Sequence, residues 1–332
     1  MKGVLPRTTS STGFARRSMQ AIAMVLTACA AVALSTSTPL LAKELKTDPV
    51  SRVRAQDVFY TTSGAGTGLP NGAEIFAVEV SGNKTTARDI GPTHGEDCAS
   101  LALSASGTLY SMCGPLFGDQ RLATIDLKTG RANLFGVRVP SLAVMAMAFG
   151  PNGILYAVGG CNPDPNFECT PGSDPNYNSL YTVDTKTGAF RRVGPTGAPQ
   201  LFMDLAFDRQ GKMLGVTSTV NPSAIPAILY RIDPATGRAT KITDLVGNTS
   251  IMGLAFGREG KLYATDNAQR PGLYVLDIAT GFETPIAALP FGFSSGLELV
   301  NPGDDDNDDH CVSDRAEWPS WMRPNVPTVG VC

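Results

Sequence analysis

The chain has 332 residues, of which 42% are apolar and only 17% charged, which is enough apolar material for a sizeable core and too little net charge (−3) for a disordered chain. Its 35 glycines and 24 prolines favour many short strands joined by turns over long helices. The mild excess of acid over base argues against phosphate-backbone binding, so nucleic acid is not an expected partner.

The first 42 residues read as a signal peptide. Lys2, Arg7, Arg16 and Arg17 form a basic leader, "MQAIAMVLTACAAVALS" is its apolar run, and cleavage is expected after Ala42. That run is short for a membrane span, so no transmembrane helix is expected in the mature chain, which is periplasmic or secreted. The paired arginines of "ARRSMQ" also fit a twin-arginine signal, and "LTAC" fits a lipobox that would make Cys29 a lipid anchor. Residues 43–56 are a linker.

From residue 57 two phrases alternate. The first is strand, tight turn, strand: "LALSASGTLYSM" (101–112), "MAFGPNGILYAV" (147–158), "LAFDRQGKMLGV" (205–216) and "LAFGREGKLYAT" (254–265). The second is strand, D-x-x-T-G turn, strand: "RLATIDLKTGRA" (121–132), "SLYTVDTKTGAF" (179–190), "AILYRIDPATGRA" (227–239) and "GLYVLDIATGFE" (272–283). The turn Asp bonds the backbone ahead of it and the Gly supplies a left-handed conformation. Each unit is therefore a four-stranded meander, repeating every 44 to 58 residues by the turn glycines at 130, 188, 237 and 281, the signature of a β-propeller.

Blade count depends on the chain ends. "DVFYTTS" (57–63) and "EIFAVEVSGNKTTARDIG" (74–91) supply strands two to four of a unit, and "GLELV" (296–300) supplies a first strand with no continuation. Joining them closes an all-β, five-bladed propeller over residues 57–300; six blades follow if part of the tail forms strands. With "SASG" (104–107) as the turn, Leu103 faces Thr108, and counting outward sets Cys98 opposite Cys113, close enough for a disulfide. Cys161 with Cys169 and Cys311 with Cys332 complete three local pairs, as expected in an oxidising compartment.

The repeated LAF-x-x-x-G-x-LY…LY-x-[VI]-D-x-x-T-G resembles secreted bacterial β-propellers loosely related to the NHL, YWTD and gluconolactonase-like groups. The resemblance implies architecture and is nearly silent on activity, because the motif consists of turns and core positions.

Chemistry is expected where the copies differ. The connections between second and third strands are long and unlike one another, and they share a face with the blade-to-blade loops. In those loops Met145, Met203 and Met252 hold equivalent positions, filling the core beside the channel or lining an apolar groove. His94, Glu96, Asp97 and Asp204 are the polar exceptions and the candidate catalytic set for acid–base chemistry on a glycan, or for holding a metal. The alternative is that they are solvated loop residues or cap exposed backbone N–H groups, and Asp266 and Asn267 are candidate ligand-binding residues. The sialidase box, the quinoprotein blade Trp, a Gly-rich phosphate loop, G-x-S-x-G and H-E-x-x-H do not occur, so no nucleotide, haem or quinone is indicated.

The C-terminal tail (301–332) is acidic. Asp306, Asp308, His310, Val312, Asp314 and Glu317 fall at positions 1, 3, 5, 7, 9 and 12 of a calcium loop, with His at position 5 and Cys in place of Gly at position 6 as departures. The alternative is a solvated acidic run stapled by its cysteines. The expected function is an exported propeller that binds an extracellular or envelope glycan, protein or small molecule on its long-loop face. The alternatives are a polysaccharide hydrolase or lyase, and a structural envelope protein.

Overall fold

The computed structural model describes residues 57–63, 72–82, 84–115, 120–138, 143–160, 177–218, 226–247, 250–267, 271–289, 291 and 294–300. The leader, the linker, the tail with its calcium spacing, and the pairs Cys161–Cys169 and Cys311–Cys332 lie outside them. No helix among the described residues is long and apolar enough to cross a membrane.

Among the described residues, twenty strands form five four-stranded antiparallel sheets. Blade one contains β1 (Asp57–Ser63), β2 (Glu74–Ser81) and β3 (Lys84–Pro92). Blade two is β4 (Cys98–Leu103), β5 (Leu109–Cys113), β6 (Arg121–Ile125) and β7 (Ala132–Leu134). Blade three is β8 (Val144–Phe149), β9 (Leu155–Gly159), β10 (Ser179–Val183) and β11 (Phe190–Pro195). Blade four is β12 (Phe202–Phe207), β13 (Met213–Thr217), β14 (Ile228–Ile232) and β15 (Ala239–Asp244). Blade five is β16 (Ile251–Phe256), β17 (Leu262–Asp266), β18 (Gly272–Leu276) and β19 (Glu283–Ala288).

The last strand, β20 (Ser294–Leu299), pairs antiparallel with β1 and completes blade one, as the split repeat predicts. The innermost strands touch in the cyclic order β4, β8, β12, β16, β20 and back to β4, so the ring is closed. Closure is reinforced on the hairpin side, where Asp57 Oδ1 accepts the Arg258 N–H at 3.1 Å and Phe59 packs on Tyr263 with ring centroids 4.8 Å apart.

The core is divided among the blade interfaces. Five apolar clusters each join one blade to the next: Leu101 with Tyr60 and Ile75, Met147 with Met112, Leu205 with Val158, Leu254 with Val216, and Leu297 with Tyr263. This explains the repeated L-A-F phrase. Alternate residues of a strand face opposite sides of the sheet, so the Leu fills the interface behind and the Ala leaves room for the blade ahead. Leu205 lies in the cluster between blades three and four, and Ala206 in the one between blades four and five.

The turn chemistry is as the repeat requires. Asp184 Oδ1 accepts the N–H groups of Lys186 and Thr187 at 2.8 and 3.2 Å, and Asp233 and Asp277 do the same work in their own turns. These backbone bonds hold the Asp184, Asp233 and Asp277 carboxyls below the usual carboxylate range. The turn glycine has a second role beyond its φ of +75° at Gly130: a Cβ there would stand 2.0 Å from Gly91 O of the preceding blade.

Cys98 and Cys113 pair in register and form a disulfide, but by a different count from the one expected. Leu103 faces Leu109, not Thr108, because the turn spans 104–108, with Ser104 N and Thr108 O bonded at 2.9 Å. A bulge between Ala99 and Leu101 then restores the register at the cysteines.

Two glycines with nearly the same backbone separate these costs. Gly107→Ala (φ +81°, open space around a Cβ) is expected to lose about 1–2 kcal/mol, the left-handed penalty alone. Gly130→Ala adds the clash with blade one, about 1–3 kcal/mol more. Urea denaturation of the two variants measures the difference; equal losses would refute the interblade role of the turn glycine.

Candidate functional site

Every innermost strand carries one residue that its neighbour in the sheet does not match. The skipped residues are Ser100 in β4, Met145 in β8, Met203 in β12, Met252 in β16 and Gly296 in β20. A bulge re-aims the side chain it inserts; those of β8, β12 and β16 occur at one level of the ring, and those of β4 and β20 one residue further along. Met145, Met203 and Met252 meet at the first of these levels in a buried cluster with Ala99, and Leu201 packs against it. Innermost strands start at the loop face, so this methionine layer lies between the loops and Asp204, the next residue along β12.

Asp204 is completely buried. Its Oδ1 accepts the Leu205 N–H at 2.9 Å, and its Oδ2 accepts Leu254 N–H at 2.8 Å and Leu297 N–H at 3.1 Å. The three donors occupy equivalent positions in β12, β16 and β20, each the edge strand of its sheet. An edge strand presents N–H groups with no ladder partner, and water is excluded here, so one carboxylate satisfies three of them. Burial pushes the Asp204 pKa up, and the three N–H bonds oppose that shift.

Glu298, on β20, is the second axial carboxylate. It accepts the Leu103 N–H from β4, and burial followed by the nearby Asp204 charge pushes its pKa well above the ordinary glutamate value. Glu298 has one backbone donor against the three that hold Asp204. Its place in the repeat is held by Ala102, Ala148, Ala206 and Ala255 in the other innermost strands. The sequence contains this signal, a lone acid in a column of alanines, yet the candidate set assembled from it omits Glu298.

The other candidates lie at the loop face. His94 and Gly95 form an exposed turn with φ of +62° and +91°, and Glu96 and Asp97 are half-buried. Backbone bonds anchor this loop: Ala73 N–H donates to Glu96 O at 3.1 Å, Gly114 N–H to Asp97 O at 2.9 Å, and Thr93 Oγ1 to Ala73 O at 2.9 Å. Their side chains are therefore held on the rim, whereas Asp204 lies beneath the methionines with both oxygens engaged.

Asp266 and Asn267 are engaged with the protein's own backbone. Asp266 Oδ1 accepts Ser250 N–H at 2.8 Å. Asn267 meets both backbone groups of Ser294, accepting its N–H at 3.0 Å and donating to its carbonyl at 2.8 Å, which ties blade five to the start of β20. Gln120 does similar work, accepting Val144 N–H at 2.8 Å. Several buried hydroxyls near the axis have no hydrogen-bond partner, among them Ser100 Oγ, Thr265 Oγ1 and Ser295 Oγ.

No protein-family model matches the chain, and no curated protein matches it in sequence. Among solved structures it is similar to a gluconolactonase from Xanthomonas campestris, at 15% identity and a TM-score of 0.43, over 72% of this chain and 78% of that one. It is also similar to virginiamycin B lyase from Staphylococcus aureus, at 13% identity and a TM-score of 0.39, over 71% of this chain and 75% of that one. For TolB from Acinetobacter baumannii the values are 12%, 0.41, 74% and 66%.

The axial carboxylates yield opposite predictions. Asp204→Asn turns one oxygen into a donor; where it faces Leu254 and Leu297, two N–H groups are orphaned, at about 1–3 kcal/mol each. Glu298→Gln instead mimics the protonated acid. A carboxyl pKa raised by folding contributes stability below its unfolded value of about 4.3 and loses it as pH rises toward the folded value. Glu298→Gln should therefore raise Tm near pH 7 and give no gain near pH 4. Melting curves of both variants across pH check this; a gain that persists unchanged at pH 4 would exclude the charge as its cause.

Proposed function

We propose that the protein is an exported β-propeller binding module that takes an extracellular or envelope ligand, a glycan, protein or small molecule, at the channel mouth on its long-loop face. The observation that carries this reading is the state of Asp204. A general acid or base must reach the substrate's proton, and this carboxylate is fully buried beneath the methionines with both oxygens already accepting backbone N–H groups. The polysaccharide hydrolase reading relied on Asp204 acting with His94, Glu96 and Asp97, which stand on the rim. Rim side chains on a rigid ring suit recognition, because the ordering cost is met by the scaffold before the ligand arrives.

Export is supported by the basic and apolar leader and by the buried Cys98–Cys113 disulfide, a bond that persists in oxidising compartments. For the tail, the spacing from Asp306 to Glu317 supports a calcium loop, checked by whether calcium raises Tm in the parent but not in Asp308→Ala.

A glycan and small-metabolite screen on the chain from residue 43 onward tests the main reading. For the ligand it identifies, His94→Ala and Glu96→Ala are expected to weaken binding by about tenfold, the loss of an ordinary interface contact, with Tm unchanged. Turnover of that ligand, abolished by Glu96→Ala, would overturn the binding reading in favour of the hydrolase.

A further inference from the structure

We infer that the bulged methionines at the propeller axis form a binding site for a soft monovalent metal ion, copper(I) above all, held by the thioethers of Met145, Met203 and Met252. This goes beyond the loop-face reading and is independent of it, since every residue concerned belongs to a β-strand.

Four observations converge. In three successive blades the residue inserted by the bulge is methionine, while the positions on either side vary freely: Val144, Phe202 and Ile251 before, Ala146, Asp204 and Gly253 after. Filling space does not require that choice, because leucine has nearly the same volume and better-defined rotamers. The three side chains meet in one cluster, and Met145 and Met252 keep 8% and 6% exposure, which leaves the layer reachable from outside.

In β4 the methionine level is held by Ala99, and the bulge residue is the next one, Ser100, at the level of Asp204, with a buried hydroxyl that has no hydrogen-bond partner. Its φ of +58° is a strained conformation for a residue other than glycine. The next residue after Met203 is Asp204, a buried carboxylate with no Lys or Arg partner among the described residues.

The donor set selects the ion. Thioether sulfur is soft and favours copper(I) over magnesium, calcium or zinc, which prefer oxygen, imidazole or thiolate. It also has no proton to lose. The sulfurs themselves therefore add no proton competition, unlike the ligands of a histidine or cysteine site.

The test uses the full chain, with any free thiols alkylated without reduction. It is titrated with silver(I), a redox-inert stand-in, and with copper(I) kept reduced by ascorbate against a chromophoric chelator. One ion per chain is expected. In methyl-labelled NMR, the Met145, Met203 and Met252 signals should shift while Met112 and Met213 stay in place. The triple variant M145L/M203L/M252L keeps an apolar layer of the same volume and should lose more than about a hundredfold in affinity. Should the triple variant misfold, Met203→Leu alone should still lose about tenfold. Equal binding by parent and methionine variants, binding abolished by His94→Ala, or unmoved methyl signals would each overturn the assignment.

Discussion

The pairing of β20 with β1 is the constraint on which the rest of the molecule depends. Five sheets laid face to face around an axis leave two exposed faces unless the last blade meets the first, and each exposed face would be apolar. Closure converts both into a fifth interface like the other four, with Leu297 and Phe59 against Tyr263 and Ala255. It also sets a geometric demand at the centre. Five innermost strands converge with their inner edges unpaired, so their N–H groups need acceptors that no further strand supplies.

The chain meets that demand asymmetrically. Asp204 accepts from three blades, Glu298 accepts from a fourth, and the methionine layer caps them toward the loops. A symmetric repeat could not place one carboxylate at its own axis five times over, because the charges would share a single small volume. The departures from the repeat are therefore concentrated where symmetry is least tolerable: a lone Asp among Ser, Ala and Gly, and a lone Glu among alanines. The rim residues and the methionine layer both sit above this fixed point, so the proposed binding at either would leave it in place.

Much of this was legible in the sequence, for a definite reason. Turns with a side-chain acceptor and a left-handed glycine leave local signatures, so Asp126, Asp184, Asp233 and Asp277 marked the blades, and the split unit at the two ends revealed the closure. Bulges leave no such mark. Counting from the turn gives the right cysteine pairing but the wrong partner for Leu103, because a longer turn and the bulge at Ser100 cancel by the time the strands reach Cys98. Asp204 looked like a catalytic candidate because an acid at the start of a strand reads as a channel-mouth residue; only the three-dimensional convergence of Leu205, Leu254 and Leu297 N–H groups gives it its role. Glu298 escaped notice for the converse reason. It sits where the repeat expects a small core residue, and nothing local says that β4 offers it a donor.

The way blade one is assembled also decides how the disc can be attached to anything else. β1 begins and β20 ends side by side, with Val300 N–H bonded to Val58 O at 2.7 Å, at the hairpin end of the strands. Whatever is joined before residue 57 or after residue 300 therefore departs from one spot, on the side opposite the loops. A surface, tag or neighbouring domain linked there would present the channel mouth outward. A force pulling the two ends apart would load the β1–β20 hydrogen bonds one at a time, so the ring has a built-in seam that opens like a zip rather than by shear.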